Sequence, residues 1–286
     1  MRRVLAIAGL IPLQAAAAQE RVSSNVFDRI TRYTSFAAAS YAYECPSPPF
    51  GSHIIKTFDN EGTDTQATLF HDYDAAEVII AFRGTSTPQD LDTDLDFELV
   101  PLSVVGANCP NCKVHRGFQT AYNSIADQIA PEIRAELEHS GSRLVVTGHS
   151  LGGGLAALAT ASLIGQGFKV TATYTYGEPR NGDAEWAKYI SRVARDVNYF
   201  RVTHYKDGVP QIPPSELGYV HHGPEYFQSR DANNTASTTF KCPLDSLACS
   251  TGQDFGPDPI NRSHLTYSNM IIGSSLFVQA CGAVFP

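Results

Sequence analysis

The chain is short of positive charge. Its 21 lysines and arginines stand against 29 aspartates and glutamates, a formal net charge of −8 at pH 7. That balance removes the electrostatic basis for binding nucleic acid or anionic membrane. Long apolar runs are also missing. The one stretch that qualifies, Val4 to Leu13, is shorter than the ~20 residues that a spanning helix needs. Histidine, cysteine and acidic residues never recur at metal-ligand spacing, so neither a metal site nor a cofactor is expected. Cys109 and Cys112 form C-x-x-C, but no second such pair and no thioredoxin-like surround accompany them. No internal repeat or linker divides the 286 residues, and 43% hydrophobic composition is enough for a sizeable core. One domain is therefore expected.

What is present begins with export. Arg2 and Arg3, the apolar run and the small residues Ala15 to Ala18 read as a signal peptide over residues 1–18, leaving a domain over 19–286. The mature protein is expected to be secreted, monomeric and, without Arg2 and Arg3, more acidic still. Six cysteines in an export context favour disulfides, although six allow fifteen pairings. Cys109 and Cys112 suit a local loop bridge, Cys242 and Cys249 are near neighbours, and Cys45 and Cys281 remain. Asn233-Asn234-Thr235 and Asn261-Arg262-Ser263 are glycosylation acceptors, which predicts surface loops at Asn233 and Asn261.

The chemistry centres on RLVVTGHSLGGG, residues 143–154. A β-branched apolar run leads into Gly148-His149-Ser150-Leu151-Gly152, and a small-residue apolar run follows. Strand, G-x-S-x-G and helix together predict a nucleophile elbow with an exposed Ser150 hydroxyl, where a bare five-residue match would predict no more than a helix cap. His149 is expected to be structural and to point away. A serine needs a base and an orienting acid. Asp207 follows a predicted strand over 198–205, and in hydrolase order the acid comes after the serine. Asp183, Asp196, Asp231, Asp245, Asp254 and Asp258 fall in helices or polar loops. His264 lies far enough beyond Asp207 to return to Ser150, whereas His221 and His222 are too near in sequence to reach round it. The backbone amides of Leu151 and of Thr85, after EVIIAFRG, are the candidate oxyanion donors.

Elsewhere the spacing predicts a helix over 22–43 stopped by Pro46, strands over 53–58, 65–71 and 77–82, and an acidic edge strand over 90–99. It also predicts a helix over 118–139 interrupted at Pro131, a strand over 168–176, a helix over 184–197, and mostly loop after Tyr226. Strands alternate with helices through the middle, so an α/β domain is expected.

FRGTS, GHSLGG, GEPR, THYKDGVPQIPP and RSHLTY, in this order, resemble the secreted fungal class 3 lipases and the related fungal feruloyl esterases. The resemblance implies the α/β-hydrolase fold with a mostly parallel central sheet. It implies Ser150, Asp207 and His264 as the triad, Thr85 and Leu151 as the oxyanion pair, and the pairings Cys45–Cys281, Cys109–Cys112 and Cys242–Cys249. It places a lid at Ser86 to Asp94, with Leu91, Asp94 and Phe97 near the substrate. Interfacial lipases carry an amphipathic lid there, often with tryptophan. Here the segment is STPQDLDTD, with Leu91 its one large apolar residue. The resemblance implies an ester substrate, lipid or aromatic acyl, as the expected partner, with transient contact at a lipid surface. Phe97 lacks the hydroxyl that would pair with a buried phenol, and leaving such a group unpaired costs about 1–3 kcal/mol, which favours aliphatic acyl groups. The acidic lid and GEPR lean toward the feruloyl esterases. A hydrolase-fold binding module without catalysis is the third reading.

Overall fold

The structure, a computed structural model, describes residues 19–85, 97–273 and 278–282. The expected leader, and Leu91 and Asp94 of the expected lid, lie outside the described residues.

Among the described residues nine strands form one sheet. Its centre is parallel: β4 (Glu77–Phe82), β7 (Arg143–His149), β8 (Val170–Tyr176), β9 (Asn198–His204) and β10 (Glu225–Gln228). Antiparallel strands flank it. β3 (Thr65–Asp72) and β2 (His53–Asn60) lie beyond β4, and β11 (Thr239–Cys242) and β1 (Glu20–Arg21) lie beyond β10. Every residue of EVIIAF in β4 is buried, as expected of a parallel strand covered on both faces. Val78, Ile80 and Phe82 face one layer, made by α2 (Arg116–Ser140), α3 (Leu151–Gly165) and α4 (Ala184–Val193). Ile79 and Ala81 face the other, where α1 (Ser24–Ala39) contributes Ile30 and Phe36. α3 is built from alanine, glycine and leucine and is buried over almost its whole length, which lets it lie close on β7 and β8.

The structure corrects several expected boundaries. α1 is capped by Ser23, whose hydroxyl accepts from the Val26 amide, but it stops at Ala39, well before Pro46. α2 runs unbroken through Pro131. Pro131 and Asp127, the residue whose carbonyl loses its partner, are both exposed, so water can satisfy that carbonyl. β8 starts at Val170, and α4 ends at Val193. The region after Tyr226 is mostly loop, as expected, but two short strands not read from the sequence, β10 and β11, extend the sheet there. Four-residue strands paired to distant segments leave too little periodicity to read. The expected edge strand over 90–99 lies mostly outside the described residues. From Leu99 the chain forms β5 (Leu99–Pro101), which pairs with β6 (Lys113–His115) in a separate ribbon and not at the edge of the main sheet. The disulfides are Cys45–Cys281, Cys109–Cys112 and Cys242–Cys249.

Candidate active site

Ser150 stands between β7 and α3 with φ 59° and ψ −131°, a conformation that side-chain-bearing residues avoid. The reason it is held there lies in the glycines on either side. A Cβ on Gly148 would sit 2.1 Å from the Gly152 carbonyl oxygen, and one on Gly152 would sit 2.2 Å from that of Phe82. The turn closes only where both are absent. The Ser150 amide donates to the Tyr176 carbonyl at 2.9 Å, tying the elbow to the end of β8. Ser150 as a whole residue is 5% exposed.

Asp207 follows β9, is 1% exposed, and receives the Val209 amide on Oδ1 at 2.9 Å. His264 presents Nδ1 to both Asp207 oxygens at 3.0 Å. A carboxylate accepts only, so His264 Nδ1 is the donor and its Nε2 is left to face away from Asp207. The Tyr267 hydroxyl donates to Asp207 Oδ2. Burial, then the Asp207 charge, pushes the Tyr267 phenol well above its ordinary value, so it remains a donor. Gly177, at the end of β8, has φ +57°, and a Cβ there would meet Asp207 Oδ2, His264 Cε1 and His264 Nδ1, each at 2.9 Å.

His149 does not point away from these groups. Its ring centroid is 4.5 Å from that of His264, and its Nε2 lies 2.9 Å from the His264 carbonyl oxygen. That oxygen can only accept, so Nε2 donates and Nδ1 accepts from the Tyr41 hydroxyl at 2.8 Å. Complete burial, with His264 alongside, holds His149 well below the ordinary histidine range, hence neutral. The end of β7 places the His149 side chain against the His264 imidazole, a long-range contact that no local pattern shows.

The residue after Ser150, Leu151, is the first of α3, so its amide has no intrahelical acceptor and lies at the positive end of the helix. Thr85 approaches from β4. The Cβ position of its neighbour Gly84 lies 3.0 Å from Ser150 Cβ. The Thr85 hydroxyl is buried and has no hydrogen-bond partner among the described residues. A buried donor without a partner among the described residues is suited to a developing oxyanion.

A secreted mono- and diacylglycerol lipase A of Penicillium camembertii is 32% identical over 238 residues, covering 76% of this chain and 75% of the relative. Residues 79–217 match the family described as lipase (class 3). The chain belongs to the class 3 lipase family.

A lipase of Rhizomucor miehei is 28% identical to this class 3 lipase over 276 residues, 91% of this chain and 72% of the relative. Among crystal structures, a lipase from Rhizopus microsporus var. chinensis superposes with a TM-score of 0.79 at 26% identity, covering 93% of this chain and 94% of the other. The Lip2 lipase of Yarrowia lipolytica superposes with a TM-score of 0.80 at 25% identity, covering 90% and 98%. The fold is the α/β-hydrolase fold, and the protein is a carboxylic-ester hydrolase of this family.

Two further features of this class 3 lipase bear on the site. Glu178 of GEPR is fully buried and accepts from Thr175, Asn181, Tyr199 and, at 2.8 Å, His222. Arg180 donates to the carbonyls of Gln211 and Pro213, so GEPR anchors the loop that follows Asp207. His221 binds the Pro210 carbonyl, and neither His221 nor His222 touches Asp207. Phe97 is half-buried, with its ring edge-on to His115 at 6.4 Å. Tyr267, Tyr41 and Gly177 were not singled out from sequence. Tyr267 and Gly177 lie inside RSHLTY and GEPR, the signal that was available.

Proposed function

We propose that the protein is a secreted serine hydrolase that cleaves acylglycerol esters through an acyl-enzyme. In this reading Ser150 Oγ attacks the ester carbonyl while His264 Nε2 takes its proton. The amides of Leu151 and Thr85, with the Thr85 hydroxyl, hold the oxyanion. His264 then gives its proton to the leaving alcohol. Water repeats the sequence on the acyl-enzyme, with His264 again as base and Ser150 Oγ as leaving group. Asp207 keeps the His264 tautomer and stabilises its cation. One oxyanion donor contributes a factor of about 10²–10³ in rate. The observation that carries the reading is the buried Asp207–His264 pair, bonded through both carboxylate oxygens, at the end of the same sheet that strains Ser150.

Acylglycerols are favoured because relatives at 32% and 28% identity are named as lipases, and because Phe97 offers a ring without a hydroxyl. Removal of residues 1–18 on export, and the participation of Leu91 and Asp94 in a lid, belong to the same proposal. The polar composition of residues 86–94 favours soluble or emulsified esters, with little rate jump at an oil surface, because carrying several aspartates against oil is costly. The test compares rates on tributyrin, a long-chain triglyceride and methyl ferulate, each across its solubility limit, for the wild type and Ser150→Ala. Faster turnover of methyl ferulate than of tributyrin would replace the lipase reading with a feruloyl esterase. Wild-type rates in Ser150→Ala would remove the nucleophile.

A further inference from the structure

The acid and the base of the site come from two irregular loops. Asp207 lies just beyond β9, and His264 lies just before β12 (Thr266–Tyr267), whose one partner strand is β13 (Met270–Ile271). No strand pairing among the described residues joins the two loops, yet Nδ1 of one must stay 3.0 Å from the carboxylate of the other. Asn261 spans them. Its Nδ2 donates at 2.6 Å to the carbonyl of Lys206, the residue before Asp207. The carbonyls of Phe255 and Asp258 lie 3.3 and 3.4 Å from the same nitrogen. Its Oδ1 receives the Ser263 amide at 2.9 Å, and its backbone carbonyl receives the His264 amide at 3.0 Å. A single backbone bond, Gly208 N–H to the Pro259 carbonyl at 3.1 Å, runs alongside.

The Oδ1 contact is a local turn that asparagine or aspartate makes equally well. The Nδ2 contact is not local, because it reaches 55 residues back in the chain. A donor is required there, since each hydrogen-bond partner of that nitrogen among the described residues is a carbonyl oxygen. Asn261 is also the acceptor of a glycosylation sequon, and the glycan would have to attach to this same nitrogen, replacing one of its N–H bonds in a position crowded by carbonyls.

We propose that Asn261 is a positioning residue for the triad. Its carboxamide sets the spacing between the Asp207 and His264 loops, and this use of Nδ2 keeps the sequon free of glycan. The proposal rests on the reading of Asp207 and His264 as acid and base.

Two variants separate the roles of the residue. Asn261→Asp keeps the local turn but turns a carboxylate toward the carbonyls. Ser263→Ala abolishes the sequon and leaves the carboxamide in place. Measured well below its Tm, Asn261→Asp is expected to lose about tenfold or more in kcat with KM within twofold, as a sub-ångström displacement of a catalytic group does. Ser263→Ala is expected to keep the wild-type kcat. Peptide mass mapping of the active secreted wild type is expected to find the Asn261 peptide unmodified, and this measurement does not depend on any variant folding. A wild-type kcat in Asn261→Asp, an equal loss in Ser263→Ala, or a glycan on Asn261 in active enzyme would overturn the proposal. His264→Ala is measured beside them. Full activity there would sink the triad reading itself, whereas an inactive His264→Ala beside a fully active Asn261→Asp would sink only the positioning role.

Discussion

Replacing Gly177 by alanine adds one methyl group at the point where the Asp207 and His264 loops meet. The structure gives that methyl group no room. It would lie 2.9 Å from Asp207 Oδ2, His264 Cε1 and His264 Nδ1, about half an ångström inside the 3.4 Å at which ordinary contact begins. Neither ring nor carboxylate can swing aside freely, because the Asp207 oxygens are held by Val209 N–H and Tyr267, and both side chains are buried. The backbone at φ +57° adds about 1–2 kcal/mol of strain for a residue with a Cβ. A displacement of about half an ångström in the acid–base pair costs about tenfold to a hundredfold in kcat, given that a 1 Å misplacement costs about a hundredfold. The expected result is a protein destabilised by about 1–3 kcal/mol in urea, still folded at 25 °C, with kcat on tributyrin reduced by that factor and KM little changed. A folded Gly177→Ala enzyme with wild-type kcat would refute the argument that the three groups share this space.

Tyr267→Phe removes one donor from Asp207 and leaves a buried carboxylate oxygen with His264 alone. A bond to a charged group contributes about 1.5–3 kcal/mol, so the unfolding free energy should fall by that order and kcat should drop several-fold. Equilibrium denaturation and initial rates read both, and an unchanged Tm would count against the bond. Burial holds His149 and His221 neutral, with folded values well below 6.5, so the unfolded chain binds more protons as pH falls below 6.5. Stability is then full above pH 6.5 and lost by up to about 1.4 kcal/mol per pH unit for each histidine as pH drops toward the folded values. Urea midpoints that stay flat from pH 6.5 to 5 would contradict that burial. The Cys45–Cys281 bridge spans 236 residues of sequence, for which the chain-entropy relation gives a ceiling of about 5 kcal/mol. A Cys45→Ala, Cys281→Ala double variant should melt lower by many degrees, and a Tm within a degree or two of wild type would show that the bridge constrains nothing.

The elbow was legible in the sequence because its causes are local. A buried strand, two glycines and a small-residue helix all lie within residues 143–165, although the contact that excludes a Cβ at Gly152 comes from the Phe82 carbonyl of β4. Asp207 and His264, which the structure brings together, were picked out by strand-end position, by chain order and by the resemblance of RSHLTY. The same local rules misplaced Pro131, because whether a proline breaks a helix depends on whether the freed carbonyl meets water, and exposure is a tertiary property. They also lost β10 and β11, which exist through their partners and not through their own four residues.

What holds the site together belongs to the tertiary structure. Tyr267 and Asp207 are 60 residues apart, Tyr41 and His149 are 108 apart, and the His149 side chain reaches a carbonyl 115 residues away. These contacts depend on how the strand ends and the loops beyond them are brought together, which sets the surroundings of His149 and the clearance over Gly177. A hydrogen bond needs placement to a few tenths of an ångström. Residue type and spacing set which groups arrive at the end of the sheet, but placement to that tolerance is set by packing among segments that the sequence keeps far apart.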